Sequence, residues 1–301
     1  MSHRKLFESL TIEGAQPGQH LLILAGVHGD EYEPMAAVRQ LKSRILPEKL
    51  SGKVTLVPVL NQPAYERINR CGPDGLDLAR TFPGSPDGSI TEQIAHEATL
   101  LIQSADYLID LHTGGLISNL APFAGYSLHP DPTILEIQRH MARAFNLPVV
   151  WGTSAHLNGR TLSAARDHGV PAIYAEWGGG SGCNLEAVEG YTRGCLSVMS
   201  ELGLFNISIK QKPILHYIED EREGSGHLQL QNHAPVAGFF ESAVQLMDRV
   251  QVGDKLGSIC SVTGDDVTAV IASQTGVILG IRTLPYVEKD EWLAVILETE
   301  N

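Results

Sequence analysis

The 301-residue chain has only four cysteines, Cys71, Cys183, Cys195 and Cys260, set far apart and with no CxxC pair. That spacing gives no support to a cysteine-built structural zinc site and fits reduced thiols in a cytoplasmic protein. No apolar run approaches the roughly 18 residues of a membrane helix. The stretch Met1 to Glu8 is polar and lacks the apolar segment of a signal peptide. Positive charge is scarce: 22 Lys and Arg stand against 35 Asp and Glu, a formal net charge of -13. A chain this acidic is a poor candidate for general nucleic-acid binding, because phosphate contacts need basic patches. An anionic small substrate stays open, since a few buried arginines can reverse the local sign. With 43% apolar and 19% charged residues, intrinsic disorder is excluded.

What the chain has in excess is histidine. Twelve are present, about twice the usual share for this length. Most read as scattered surface and loop imidazoles, so the question is whether a few stand in metal-binding order. The first two thirds alternate apolar runs with amphipathic stretches. His20–Val27, Lys53–Leu60, Tyr107–Leu111, Val149–Gly152 and Pro171–Glu176 read as strands. Glu33–Ile45, Thr91–Ser104 (with Thr91 as cap), Pro132–Phe145, Leu162–His168 and Leu185–Leu202 read as helices. This alternation predicts an α/β fold with a mostly parallel sheet flanked by helices.

After about Leu204 the pattern changes to short strands separated by Gly, Asp and Asn turns: Val236–Ser242, Gln251–Ser261, Asp266–Ser273 and Trp292–Glu298. The expected division is a catalytic α/β domain over 1–208 and a small all-β domain over 209–301. The second part resembles the barrel-sandwich fold of lipoyl and biotinyl domains. Its hairpin, Ser273–Val277, has no lysine to carry a cofactor.

Four signals carry chemistry. GVHGDE over Gly26–Glu31 places His28 and Glu31 three residues apart at a strand end, where open α/β sheets hold ligands. IDLHTGG over Ile109–Gly115 places His112 at another strand end. Together they offer a His₂Glu set of the kind catalytic zinc uses. Asp110 either orients His112 through its second nitrogen or turns the loop. YAEWGGG over Tyr174–Gly180 ends a strand on Glu176. A carboxylate in that place is partly desolvated and suits general base work; alone it reads equally as an acid beside a flexible loop. Finally, Asn61–Gly84 gathers Arg67, Arg70 and Arg80, either to recognise an anion or as a solvated loop with surface ion pairs.

Taken in order, GVHGDE, NQPAYERINR, GLDLARTFPG, DLHTGG and YAEWGGG resemble the succinylglutamate desuccinylase/aspartoacylase family, within the zinc carboxypeptidase-like superfamily. The resemblance implies a hydrolase that removes an acyl group from an N-acyl amino acid with one Zn²⁺ per chain. By motif position it implies His28, Glu31 and His112 as metal ligands and Glu176 as general base and proton shuttle. It also implies Arg70 facing the carbonyl oxygen and Arg80 holding a substrate carboxylate. The family's Asp-Leu-Asn-Arg is Asp77-Leu78-Ala79-Arg80 here, so one amide donor is missing. The alternatives are a metallocarboxypeptidase or another zinc amidohydrolase acting on a peptide-like substrate, and a non-catalytic binding module. The expected partner is a small molecule, with no nucleic acid and no membrane; homo-oligomer formation stays open.

Overall fold

The computed structural model describes residues 5–299. They form two compact units that interleave in the sequence. The first takes residues up to Thr113, Pro122–Glu176 and Cys183–Ser225; the second takes Gly114–Ala121, Trp177–Gly182 and the chain from Gly226. The sequence reading placed one boundary, after residue 208. It missed the two short insertions because such membership is set by long-range contacts rather than by local pattern.

The first unit contains β1 (Leu10–Glu13), β2 (Gln16–Ala25), α1 (Tyr32–Arg44), β3 (Ser51–Val57), α2 (Gln62–Glu66), α3 (Ile90–Gln103) and β4 (Tyr107–His112). It continues with most of β5 (Ser118–Ser127), α4 (Pro132–Ala144), β6 (Val149–Thr153), α5 (Thr161–Asp167), most of β7 (Ala172–Gly179), α6 (Leu185–Glu201) and β8 (His216–Glu219). The strand order is β1-β3-β2-β4-β7-β5-β6-β8. β2 pairs in parallel with β3 and β4, and β4 in parallel with β7. β5, β6 and β8 are parallel to one another but run antiparallel to β7, since early β5 (Ser118) lies against late β7 (Gly179) and Gly125 against Tyr174. The edge strand β1 is antiparallel to β3.

The central strands are apolar because both faces are covered. Leu21 to Ala25 are fully buried, and each buried Leu or Ile contributes about 1.5–3 kcal/mol of transfer free energy. α3 packs its Ile94, Ala95, Ala98 and Ile102 into the same core. Thr91, expected as its cap, lies inside the helix and bonds Asp74 through both N–H and hydroxyl (2.9 and 2.7 Å). The cap is Ser89, whose N–H donates to Glu92 (2.7 Å), the reach-back half of a capping box.

The second unit contains β9 (Gly238–Ser242), β10 (Arg249–Val250), β11 (Lys255–Cys260), β12 (Thr268–Ile271), β13 (Gly276–Arg282), β14 (Tyr286–Val287) and β15 (Ala294–Glu298). One antiparallel sheet runs β12-β11-β9-β14. β13 pairs antiparallel with β10, with β15 and with the first residues of β5. Alternation places Phe240, Ile259, Val270 and Val287 in its core.

Candidate active site

Every residue singled out for chemistry lies in the first unit. β2 ends at Ala25, and the turn that follows carries His28 and Glu31 into the start of α1. The loop after β3 packs against this turn. Leu60 and Asn61 donate to the carbonyls of Ala25 and Gly26 (2.9 and 2.8 Å), and Gly29 donates to Asn69 (3.1 Å). Gly29 has to be glycine here, because a Cβ would lie 2.1 Å from the Ala64 carbonyl carbon. This packing brings Arg70 and Asp77 to His28.

Two imidazoles converge on one carboxylate. Nδ1 of His28 lies 2.7 Å from Glu31 Oε1, and Nδ1 of His112 lies 3.1 Å from Oε2. The ring centroids are 5.3 Å apart. The opposite nitrogens are each held by an aspartate: His28 Nε2 is 3.1 Å from Asp77 Oδ1, and His112 Nε2 is 2.9 Å from Asp110 Oδ2. Asp110 therefore faces the imidazole, the first of its two sequence readings. Asp77 was noticed only as a motif letter. Its contact to His28 spans 49 residues, which no local pattern reveals.

Glu31 is 1% exposed and Glu176 is 8% exposed. β4 and β7 pair in parallel with His112 opposite Glu176, so strand register alone sets the two side by side. Burial pushes the Glu176 carboxyl up to about 8, against the pull of His112 and Arg70. Its Oε2 is buried and has no hydrogen-bond partner among the described residues. Glu31 behaves oppositely: burial opposes its charge, but the facing imidazoles hold it well below the usual carboxylate range.

Arg70 forks onto Asp77 Oδ2 through Nε and Nη2 (3.1 and 3.0 Å), leaving Nη1 4.0 Å from Glu31 Oε1. Arg80 donates from Nη1 to the Ala79 carbonyl (2.7 Å). Arg67 is exposed, which fits the solvated-loop reading for that residue. A further cation, Arg160, was not anticipated. The Gly159–Arg160 segment docks on the backbone of Arg80, where a Cβ on Gly159 would lie 2.7 Å from the Arg80 carbonyl oxygen. Burial and the neighbouring Arg80 charge push Arg160 down to about 10, while Glu176 and Asp77 act the other way. A single Arg in HLNGRTLS carries no periodic or motif signal.

His28, Glu31 and His112 offer ligand atoms that all lie within 4.8 Å of one another. The donor set is two imidazole nitrogens and a carboxylate, the types Zn²⁺ takes, and each imidazole is braced by a carboxylate. The buried Glu176 oxygen without a partner stands beside it. These residues fit a divalent cation.

The chain has relatives of known family. A profile of the succinylglutamate desuccinylase/aspartoacylase catalytic domain matches residues 17–202. The N-alpha-acetyl-L-2,4-diaminobutyric acid deacetylase of Halomonas elongata is 31% identical over 297 residues, covering 96% of this chain and 85% of that protein. A succinylglutamate desuccinylase structure from Silicibacter sp. TM1040 superposes with TM-score 0.88 at 26% identity, covering 98% of this chain and 89% of the other. The product-bound ectoine utilization protein EutE (DoeB) of Ruegeria pomeroyi has TM-score 0.88 at 25% identity, over 97% and 88% of the two chains. With this match over the catalytic unit and a relative aligned along nearly its whole length, the chain belongs to the succinylglutamate desuccinylase/aspartoacylase family.

Proposed function

We propose that this chain hydrolyses the amide bond of an N-acyl amino acid, using one Zn²⁺ held by His28, Glu31 and His112. The observation that carries the proposal is the convergence of both imidazole Nδ1 atoms on Glu31, with Glu176 in register beside His112. Bound Zn²⁺ supplies a Lewis acid for a carbonyl and an acidified water.

The chain's own residues do the rest. Glu176, buried in register beside His112, accepts the proton of the attacking water and delivers it to the leaving amine. Asp77 uses two of the Arg70 donors, so that Nη1 is the one left to meet the charge developing on the carbonyl oxygen. Arg80 holds the substrate carboxylate. With Ala in place of the family's Asn at 79, that carboxylate has one donor fewer. The Halomonas relative is named for N-alpha-acetyl-L-2,4-diaminobutyric acid, which makes an N-acetylated diamino acid the first substrate to try. Four free cysteines support a cytoplasmic setting. No helix of the described residues is long and apolar enough to cross a membrane.

The test is Glu176→Gln. The variant is expected to keep one metal ion per chain by elemental analysis while turnover of N-acetyl amino acids falls by about 10²–10⁴-fold. Full activity in the variant sinks the assignment of Glu176. A panel that includes C-terminal dipeptides separates deacylase from carboxypeptidase action.

A further inference from the structure

The two aspartates behind the imidazoles are held differently. Asp77 gives Oδ1 to His28 and to the Ala79 N–H (2.9 Å), and Oδ2 to Arg70. Asp110 is 1% exposed, and its Oδ1 has no partner among the described residues. Its Oδ2 takes both contacts: Nε2 of His112 at 2.9 Å and the hydroxyl of Thr161.

Thr161 is 2% exposed and is the first residue of α5. A threonine at a helix start ordinarily turns its hydroxyl to nearby backbone. Here that local duty falls to Ser163, whose Oγ accepts from the Arg160 N–H (2.8 Å) and donates to the Arg160 carbonyl (2.7 Å). The Thr161 hydroxyl instead reaches Asp110, 51 residues away.

We infer that Thr161 is a positioning residue for the metal site, acting through Asp110 on His112. The terminal torsion of an aspartate is broad, and Asp110 has one oxygen without a partner to restrain it. The Thr161 hydroxyl supplies the second restraint on the engaged oxygen. A fixed Asp110 keeps the proton of His112 on Nε2, which leaves the Nδ1 lone pair for a cation held beside Glu31. The inference rests on His28, Glu31 and His112 being metal ligands.

Thr161→Val exchanges the hydroxyl for a methyl group of the same shape, and Thr161→Ser keeps the hydroxyl. Zn²⁺ dissociation constants of the full chain are measured by competition with a chromophoric chelator. Visible spectra are recorded on fully Co²⁺-loaded protein, where a general loss of stability has no influence. The expected result is about tenfold weaker Zn²⁺ binding and a changed Co²⁺ spectrum for the Val variant, at the low end of what removing outer-sphere partners costs. The Ser variant is expected to match the wild type. Thr161→Ala serves as the second variant if Val does not fold. Unchanged affinity and spectrum in the hydroxyl-free variant overturn the inference, as does a Ser variant as weak as Val. Failure of the wild type to bind one metal ion per chain is a separate outcome, which overturns the ligand reading along with it.

Discussion

At the scale of single residues, Glu176, the proposed base, costs stability. An unfolded glutamate loses its proton near about 4.3, whereas burial raises the native carboxyl to about 8. Between those values the native chain keeps a proton that the unfolded chain has released. Stability of the metal-free protein therefore falls as pH rises through this window, and the loss is complete above it. Glu176→Gln does not titrate. Its stability relative to metal-free wild type should grow between about pH 5 and about pH 8.5. Denaturant melts of the two metal-free proteins at both pH values check this, and a gap that narrows with rising pH contradicts it. Four of these side chains were legible because each stands in a short motif at a strand end: His28, Glu31, His112 and Glu176. Asp77, Arg160 and Thr161 were not, because their contacts link loops and a helix start that are distant in the chain.

At the scale of elements, apolar runs gave the strands to within two or three residues for most of the first unit, and 3.6-residue spacing gave the long helices. β5 was missed. It carries Pro122 and Gly125 in its interior, residues that weaken a strand pattern. The short edge strands β1 and β8 bury little and leave little alternation to read. The loop after α2 holds a different irregularity. Ile68, a β-branched residue, sits at φ 52° and is 62% exposed, where such a side chain is a genuine outlier. The turn it makes, with Asn69 N–H donating to Ala64 (3.1 Å), redirects the chain toward Arg70. Asparagine tolerates this conformation far better. Ile68→Asn should therefore raise stability by about 1 kcal/mol, read as a higher denaturant midpoint at unchanged slope. A midpoint that stays the same or drops means the strain is not there.

At the scale of the whole molecule, the surplus of negative charge has a local meaning. Of the net -13, the carboxyl groups of Glu31, Asp77, Asp110 and Glu176 are gathered around two imidazoles, where the proposed divalent cation would offset the negative charge. Arg70, Arg80 and Arg160 form the other side of the balance, a set of cations suited to a carboxylate-bearing substrate within an acidic chain. The all-β character of the C-terminal part was legible from turn spacing, whereas the membership of Gly114–Ala121 and Trp177–Gly182 in that unit was not. The central claim is that His28, Glu31 and His112 hold the metal on which deacylation depends. It is tested most directly by the rate of acetate release from N-acetyl amino acids after chelator treatment, with Zn²⁺ then added back stepwise. The predicted result is a silent metal-free protein whose activity returns in proportion to Zn²⁺ and levels off at one equivalent per chain. Full activity in the metal-free protein would contradict the account.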